Sequence, residues 1–145
     1  MNLRTLILSK LILLFSVSFL AATILPAQSE LVLVSLKNAG DNNTYLLALV
    51  ATIGNVLGSL VNFIIGRYLL HFKHKKWFPI SAKMLKKTTN IYQKWGFWSL
   101  LLAWVPFIGD PLTLIAGTFR TNIWLFLSLV TIGKSARYIA IIAIF

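Results

Sequence analysis

A chain of 145 residues with 58% hydrophobic side chains and a mean hydropathy of +0.82 is far more apolar than a soluble domain, for which about 45 to 50% is usual. That leaves no room for a soluble catalytic domain and allows one membrane unit of about four or five segments, at about 20 residues per span. The net charge of +11, from 14 Lys and Arg against Glu30, Asp41 and Asp110, therefore reads as a topology signal and an attraction to anionic lipid headgroups, not as a nucleic-acid footprint.

The absence of cysteine excludes disulfides, thiolate metal sites and a cysteine nucleophile. Residues 1–25 carry Arg4 and Lys10 with an apolar run and so resemble a secretory signal. Lys10, however, lies well inside the apolar stretch, Leu25-Pro26-Ala27 lacks a small residue at the first cleavage position, and hydrophobicity resumes at Leu31. The segment is expected to be retained. Residues 7–36 then read as a membrane hairpin or broken helix turning between Pro26 and Glu30, because proline removes a helical hydrogen bond and clashes with the preceding turn.

Residues 37–44 form a polar turn. Residues 45–70 are long enough to span with some tilt. Along them Gly54, Gly58, Asn62 and Gly66 recur every four positions and share one helical face. Such a face lets another backbone approach closely, while Asn55 and Asn62 supply amides that need partners in hydrocarbon. Helix packing alone accounts for the glycines, and the same face offers a surface for a homodimer.

Arg67, at a membrane boundary, opens a run to Lys94 that holds Lys73, Lys75, Lys76, Lys83, Lys86, Lys87, His71 and His74 and no acid. The positive-inside rule places this loop in the cytoplasm. After Pro79, the residues Ile80, Met84, Leu85, Ile91, Tyr92 and Trp95 fall near one face with lysines opposite, the pattern of an amphipathic helix on the inner leaflet. Two histidines among lysines are weak ground for a metal site. Neither a metal nor another cofactor is expected.

Residues 95–118 form a second broken segment, in which Pro106, Gly109 and Pro111 surround Asp110 and repeat the Pro-x-x-x-acid spacing of Pro26 and Glu30. Trp95 and Trp98 fit an interfacial belt. Residues 122–145 are the last span, where Lys134 and Arg137 stand one turn apart and can point to the same side. The stretch from Leu49 to Gly54 also returns as Leu129 to Gly133 with one residue lost.

The expected fold is an all-α integral membrane protein in one membrane domain. It comprises two inverted repeats, residues 7–70 and 95–145, each a Pro-broken re-entrant hairpin followed by a transmembrane helix, with the basic amphipathic helix of 71–94 between them. One signal conflicts: a re-entrant first segment puts the N-terminus outside with Lys37, whereas Arg4 and Lys10 favour the cytoplasm. A full crossing by residues 3–25 would remove the conflict. Re-entrance is preferred because the two acid-bearing turns then meet at mid-depth.

The intramembrane ionisable set is Glu30, Asp110, Lys134 and Arg137. A charge at the bilayer centre costs about 2.5 to 3.5 kcal/mol on insertion scales, and two acids with two bases offset that cost. They are either ion pairs that only hold helices together or a substrate and proton site. In the second case burial and a nearby cation act oppositely on a carboxyl pKa, and Lys134 and Arg137 suit a phosphate.

Taken together, Pro26 with Glu30, Gly54-Asn55 with Gly58, Gly66-Arg67, Trp104 with Pro106 and Gly109-Asp110, Ala116-Gly117, and Gly133-Lys134 with Arg137-Tyr138 resemble the YqaA-type branch of the DedA family. That family belongs to the VTT (SNARE-associated) superfamily of bacterial inner-membrane, multi-pass proteins. The resemblance implies two opposed re-entrant hairpins and a role in lipid handling, such as phospholipid scrambling or undecaprenyl phosphate recycling, often linked to the proton gradient. By motif position it carries over Glu30 and Arg137 as the acid and base. The chain departs from the family in having Asp110, and no arginine before Arg120, where the second hairpin usually has one soon after its proline; the family's substrates therefore do not transfer with the motif.

The function expected is a lipid transporter, flippase or scramblase for a phospholipid or polyprenyl phosphate, supporting envelope homeostasis, with anionic or phosphorylated membrane lipids as partners and no nucleic acid. The alternative is a non-transporting membrane assembly or structural factor. An enzyme is not expected, because no serine, histidine and acid arrangement is apparent and both histidines lie away from Glu30 and Asp110.

Overall fold

The computed structural model describes residues 2–23, 28–40, 43–68, 71, 74–76 and 80–145. The chain folds into α1 (Leu3–Thr23), α2 (Gln28–Asn38), α3 (Thr44–Tyr68), α4 (Ala82–Trp95), a 3-10 segment (Gly96–Trp104), α5 (Gly109–Thr118) and α6 (Ile123–Ile144). Among the described residues no strand occurs. Pro26 and Pro79, named above as a hairpin break and a helix start, lie outside the described residues.

Three of these helices, α1, α3 and α6, are long and apolar enough to cross a membrane, with 21, 25 and 22 residues. The short α2 and α5, of 11 and 10 residues, rise only about 15 Å at 1.5 Å per residue, half of a hydrocarbon core of about 30 Å. Length and composition therefore allow α1, α3 and α6 to cross, while α2 and α5 are too short to do so alone.

The register between helices follows from their contacts. Gly54 faces Phe15 and Ser18, and Gly58 faces Phe19 and Ala22, so α1 and α3 run in the same direction. In contrast, α6 runs against α3: Phe126 lies tilted against Phe63 with ring centroids 4.5 Å apart, Lys134 and Tyr138 meet Asn55, and Ile139 shares a cleft with Tyr45. Because α1 is parallel to α3, Leu3 and Lys10 share a cleft with Asn43 and Leu46, at the end opposite the basic loop. Arg4 and Lys10 thus stay on the far side from the cations of the basic loop despite the positive-inside preference.

The glycine face of α3 is divided between two neighbours. Gly54 and Gly58 receive α1, where an added Cβ would sit 2.6 Å from the Phe15 carbonyl oxygen and 2.5 Å from that of Phe19. Gly66 receives α5 instead, its missing Cβ falling on the Leu114 carbonyl, and Gly117 returns the contact onto the Phe63 carbonyl. The face offered above for a homodimer is thus occupied within the chain at these glycines. A second copy would have to use another surface.

Two apolar clusters result. Leu14, Leu33, Leu47, Ala51 and Tyr138 join α1, α2, α3 and α6. Phe63, Leu100, Leu112, Leu114, Phe126 and Val130 join α3, the 3-10 segment, α5 and α6. Each broken segment therefore has its own core, and α3 and α6 serve both.

The basic stretch forms the amphipathic helix expected, capped by Ser81, whose side chain accepts from the Met84 amide. Its apolar face is not left to lipid. Leu85, Thr88 and Tyr92 are buried, with α4 packed on α5 and the 3-10 segment, while Trp95 and Trp98 stay exposed as a belt requires. Gly96 ends the helix at φ 61, a left-handed backbone that favours glycine.

The second break is shorter than expected. Of Pro106, Gly109 and Pro111, only Pro106 lies in the turn, whereas Gly109 and Pro111 are the first and third residues of α5. A proline in the first helical turn gives up no intrahelical hydrogen bond. Gly109 is needed for space, because a Cβ there would fall on the Ala103 carbonyl.

Candidate functional site

The four ionisable residues form two pairs, each joining an acid of a short segment to a base on α6. Asp110, in the first turn of α5, accepts from the Lys134 ammonium at 3.0 Å. Glu30, in the first turn of α2, pairs with the Arg137 guanidinium. Both acids therefore stand where a helix N-terminus favours negative charge. Glu30 and Asp110 do not contact each other directly; α6 links them, since Lys134 and Arg137 are three residues apart.

Exposure differs across the set. The Lys134 side chain is 5% exposed, whereas Asp110, Glu30 and Arg137 keep 28%, 27% and 20%. A buried ammonium demands several acceptors, and Lys134 has a second in the Oδ1 of Asn55 on α3. The other end of that amide donates to the Tyr138 hydroxyl at 2.9 Å, and Tyr138 in turn shares a 2.9 Å hydrogen bond with Ser29 of α2. A buried polar chain thus runs from the Lys134 pair to Tyr138 and Ser29, the chain neighbours of Arg137 and Glu30.

Asn62 serves the other ends of the broken segments. Its Nδ2 donates to the Ala22 carbonyl at 2.8 Å and to Thr113 Oγ1 at 3.4 Å, while Thr113 donates to the Asp110 carbonyl at 2.6 Å. Ala22 lies in the last turn of α1, where carbonyls have no intrahelical donor. One amide on α3 thereby ties the end of α1 to the start of α5. At the opposite end of the molecule Lys37 donates to the Ile142 carbonyl at 2.6 Å, a cation placed on the C-terminal turn of α6.

A cavity of about 230 Å³ reaches Asp110 from beside the start of α4, lined among others by Asn62, Thr23, Ser81, Met84 and Phe107. This gives the Asp110 carboxylate an approach from the side of the basic loop. Arg67 stays exposed in the last turn of α3, 5.8 Å from the Tyr68 ring centroid, and takes no part in the site. Among the described residues no three of His, Cys, Asp and Glu gather as metal ligands.

Sequence reasoning found the four charges and both asparagines, named Tyr138 only as part of a motif and gave it no site role, and missed Ser29 and Thr113. A signal existed for Tyr138, which stands four residues after Lys134 and hence on its face. Ser29 and Thr113 follow no pattern, since a single hydroxyl on a short helix has no periodicity to reveal its partner.

Comparison with known proteins places this arrangement among relatives. A family model described as the VTT domain matches residues 12–145. The chain is 39% identical over 130 residues to the inner membrane protein YqaA of Escherichia coli, covering 90% of this chain and 87% of the relative. An uncharacterized protein of Haemophilus influenzae is 34% identical over 135 residues, with 88% and 82% covered. The undecaprenyl phosphate transporter A of Staphylococcus aureus is 27% identical over 121 residues, with 77% of this chain and 60% of that protein covered. No solved structure gives a significant match.

Proposed function

This chain belongs to the VTT-domain (DedA) family, and from that premise we propose that it is a lipid transporter of flippase or scramblase type. It is a multi-pass inner-membrane protein. The cargo is an anionic or phosphorylated lipid, a phospholipid or a polyprenyl phosphate, and a proton moving through the acids drives the exchange. Its role is to support envelope homeostasis.

The observation that carries this reading is the pair of acid–base contacts on one side of α6, Asp110 with Lys134 and Glu30 with Arg137, each acid held by a helix too short to cross. Charged groups on broken segments inside a membrane mark a transport path. Three of the four side chains are partly open, which lets a headgroup compete for Arg137 or a proton reach an acid. The name of the Staphylococcus aureus relative, an undecaprenyl phosphate transporter, supports the lipid class.

In the proposed architecture α1 with α2, and the 3-10 segment with α5, are opposed re-entrant hairpins of two inverted repeats. The matched glycines support it. Gly54 packs on the Phe15 carbonyl and Gly133 lies against the Leu101 carbonyl, so each glycine receives the first arm of its own half. The complete pairing of charges favours a second reading, a non-transporting assembly factor whose ion pairs only hold helices.

Proteoliposomes carrying a polyprenyl phosphate or ordinary phospholipids separate the two. Wild type is expected to translocate at least one of these lipids, and Glu30→Gln, Asp110→Asn and Arg137→Gln to lose that activity at matched amounts of folded protein. Folded wild type that moves none of them overturns the transporter and leaves the assembly factor.

A further inference from the structure

From the Asp110–Lys134 pair a series of buried hydrogen bonds, which that pair does not need for its own neutrality, runs to the two residues that flank the other pair in the chain. The Lys134 ammonium bonds Asp110 at 3.0 Å and also the Asn55 carbonyl oxygen; the Asn55 amide donates to Tyr138 at 2.9 Å; Tyr138 bonds Ser29 at 2.9 Å. Ser29 is the chain neighbour of Glu30, and Tyr138 that of Arg137. The four linking residues, Lys134, Asn55, Tyr138 and Ser29, are all buried, so water does not compete for these bonds.

We propose that Asn55 and Tyr138 are positioning residues that pass the state of Asp110 to the Glu30–Arg137 pair. An asparagine side chain is a rigid group with an acceptor at one end and donors at the other. With Asp110 charged, Lys134 is shared between Asp110 and Asn55. When Asp110 takes up a proton or a ligand through the cavity beside it, Asn55 becomes the stronger acceptor left to the ammonium. The amide turns toward Lys134, its donor end moves on the Tyr138 hydroxyl, and Tyr138 shifts the bond that seats α2 on α6 where Glu30 meets Arg137. Hydrogen bonds arranged in series polarise one another in a low-dielectric interior.

This coupling holds whatever the cargo is, so its test needs no transport assay. Glu30 is the single glutamate of the chain, and ¹³C-glutamate labelling therefore gives one side-chain carboxyl resonance. The line is recorded for the full chain in lipid nanodiscs at fixed pH, with and without Asp110→Asn, in three backgrounds: wild type, Tyr138→Phe and Ser29→Ala. Spatial intermediacy is not coupling, and a mutant cycle of this kind measures it.

In the wild-type background Asp110→Asn is expected to displace the Glu30 line, and in both variant backgrounds that displacement is expected to fall by at least about half, since Tyr138→Phe removes two bonds of the series and Ser29→Ala its last one. A displacement that persists in full in the variants means that a field through space links the pairs, and it overturns the proposal. No displacement in wild type overturns it as well. Should Tyr138→Phe fail to fold, Ser29→Ala, which deletes one buried hydroxyl and replaces no residue of α6, carries the same test.

Discussion

Lys134 is stable in the bundle because two acceptors from two different helices, Asp110 on α5 and Asn55 on α3, converge on its ammonium. Removing one of them exposes how much the pair matters. Asp110→Ala is expected to destabilise the protein by about 3 to 5 kcal/mol, because it strands a cation that has 5% of its side chain exposed. The double variant Asp110→Leu with Lys134→Met should recover most of that loss, since an apolar pair of similar volume carries no desolvation cost. Thermal melting in detergent checks both, and a double variant no better than Asp110→Ala would mean that packing, not charge, is what fails. Tyr138→Phe removes one hydroxyl but leaves Asn55 and Ser29 each short of a buried partner, for an expected loss of about 1 to 3 kcal/mol by the same measurement.

At the scale of the helices, close approach is the organising device. α3 is contacted on one side by α1 at Gly54 and Gly58 and on another by α5 at Gly66, where backbone meets backbone. Alanine substitutions should therefore rank by the space that a Cβ would find. Gly66→Ala and Gly117→Ala collide with carbonyls and lose the most, about 3 kcal/mol or more; Gly54→Ala and Gly58→Ala come next. Gly133→Ala is the mildest, because its Cβ would stand 3.0 Å from the Leu101 carbonyl and a small shift relieves it. Melting temperatures in that order support helix crossings set by glycine, and equal losses at Gly66 and Gly133 count against them.

Over the whole molecule, the parallel run of α1 and α3 puts the start of both helices at one face and the basic loop at the other. A chain without cysteine is suited to a direct check. Single cysteines at Asn2 and Asn43 are expected to react with an impermeant thiol reagent from the periplasmic side, and one at Lys86 only after the inner face is opened; Asn2 reacting with Lys86 would reverse α1. Much of this protein was legible along the chain. The spans, the acids and bases, the breaks and the amphipathic basic helix each show as a local departure from uniform hydrophobicity, and in hydrocarbon every such departure carries a free-energy cost that composition and periodicity reveal. Tertiary structure alone decided which acid meets which base, that Gly54 and Gly66 serve different neighbours, that Pro111 lies inside α5 rather than in the turn, and that Asn55 and Tyr138 carry a buried hydrogen-bond series from Lys134 to Ser29. Those outcomes depend on helix direction and rotation, which arise from the packing of short segments against α3 and α6 and leave no period in the sequence.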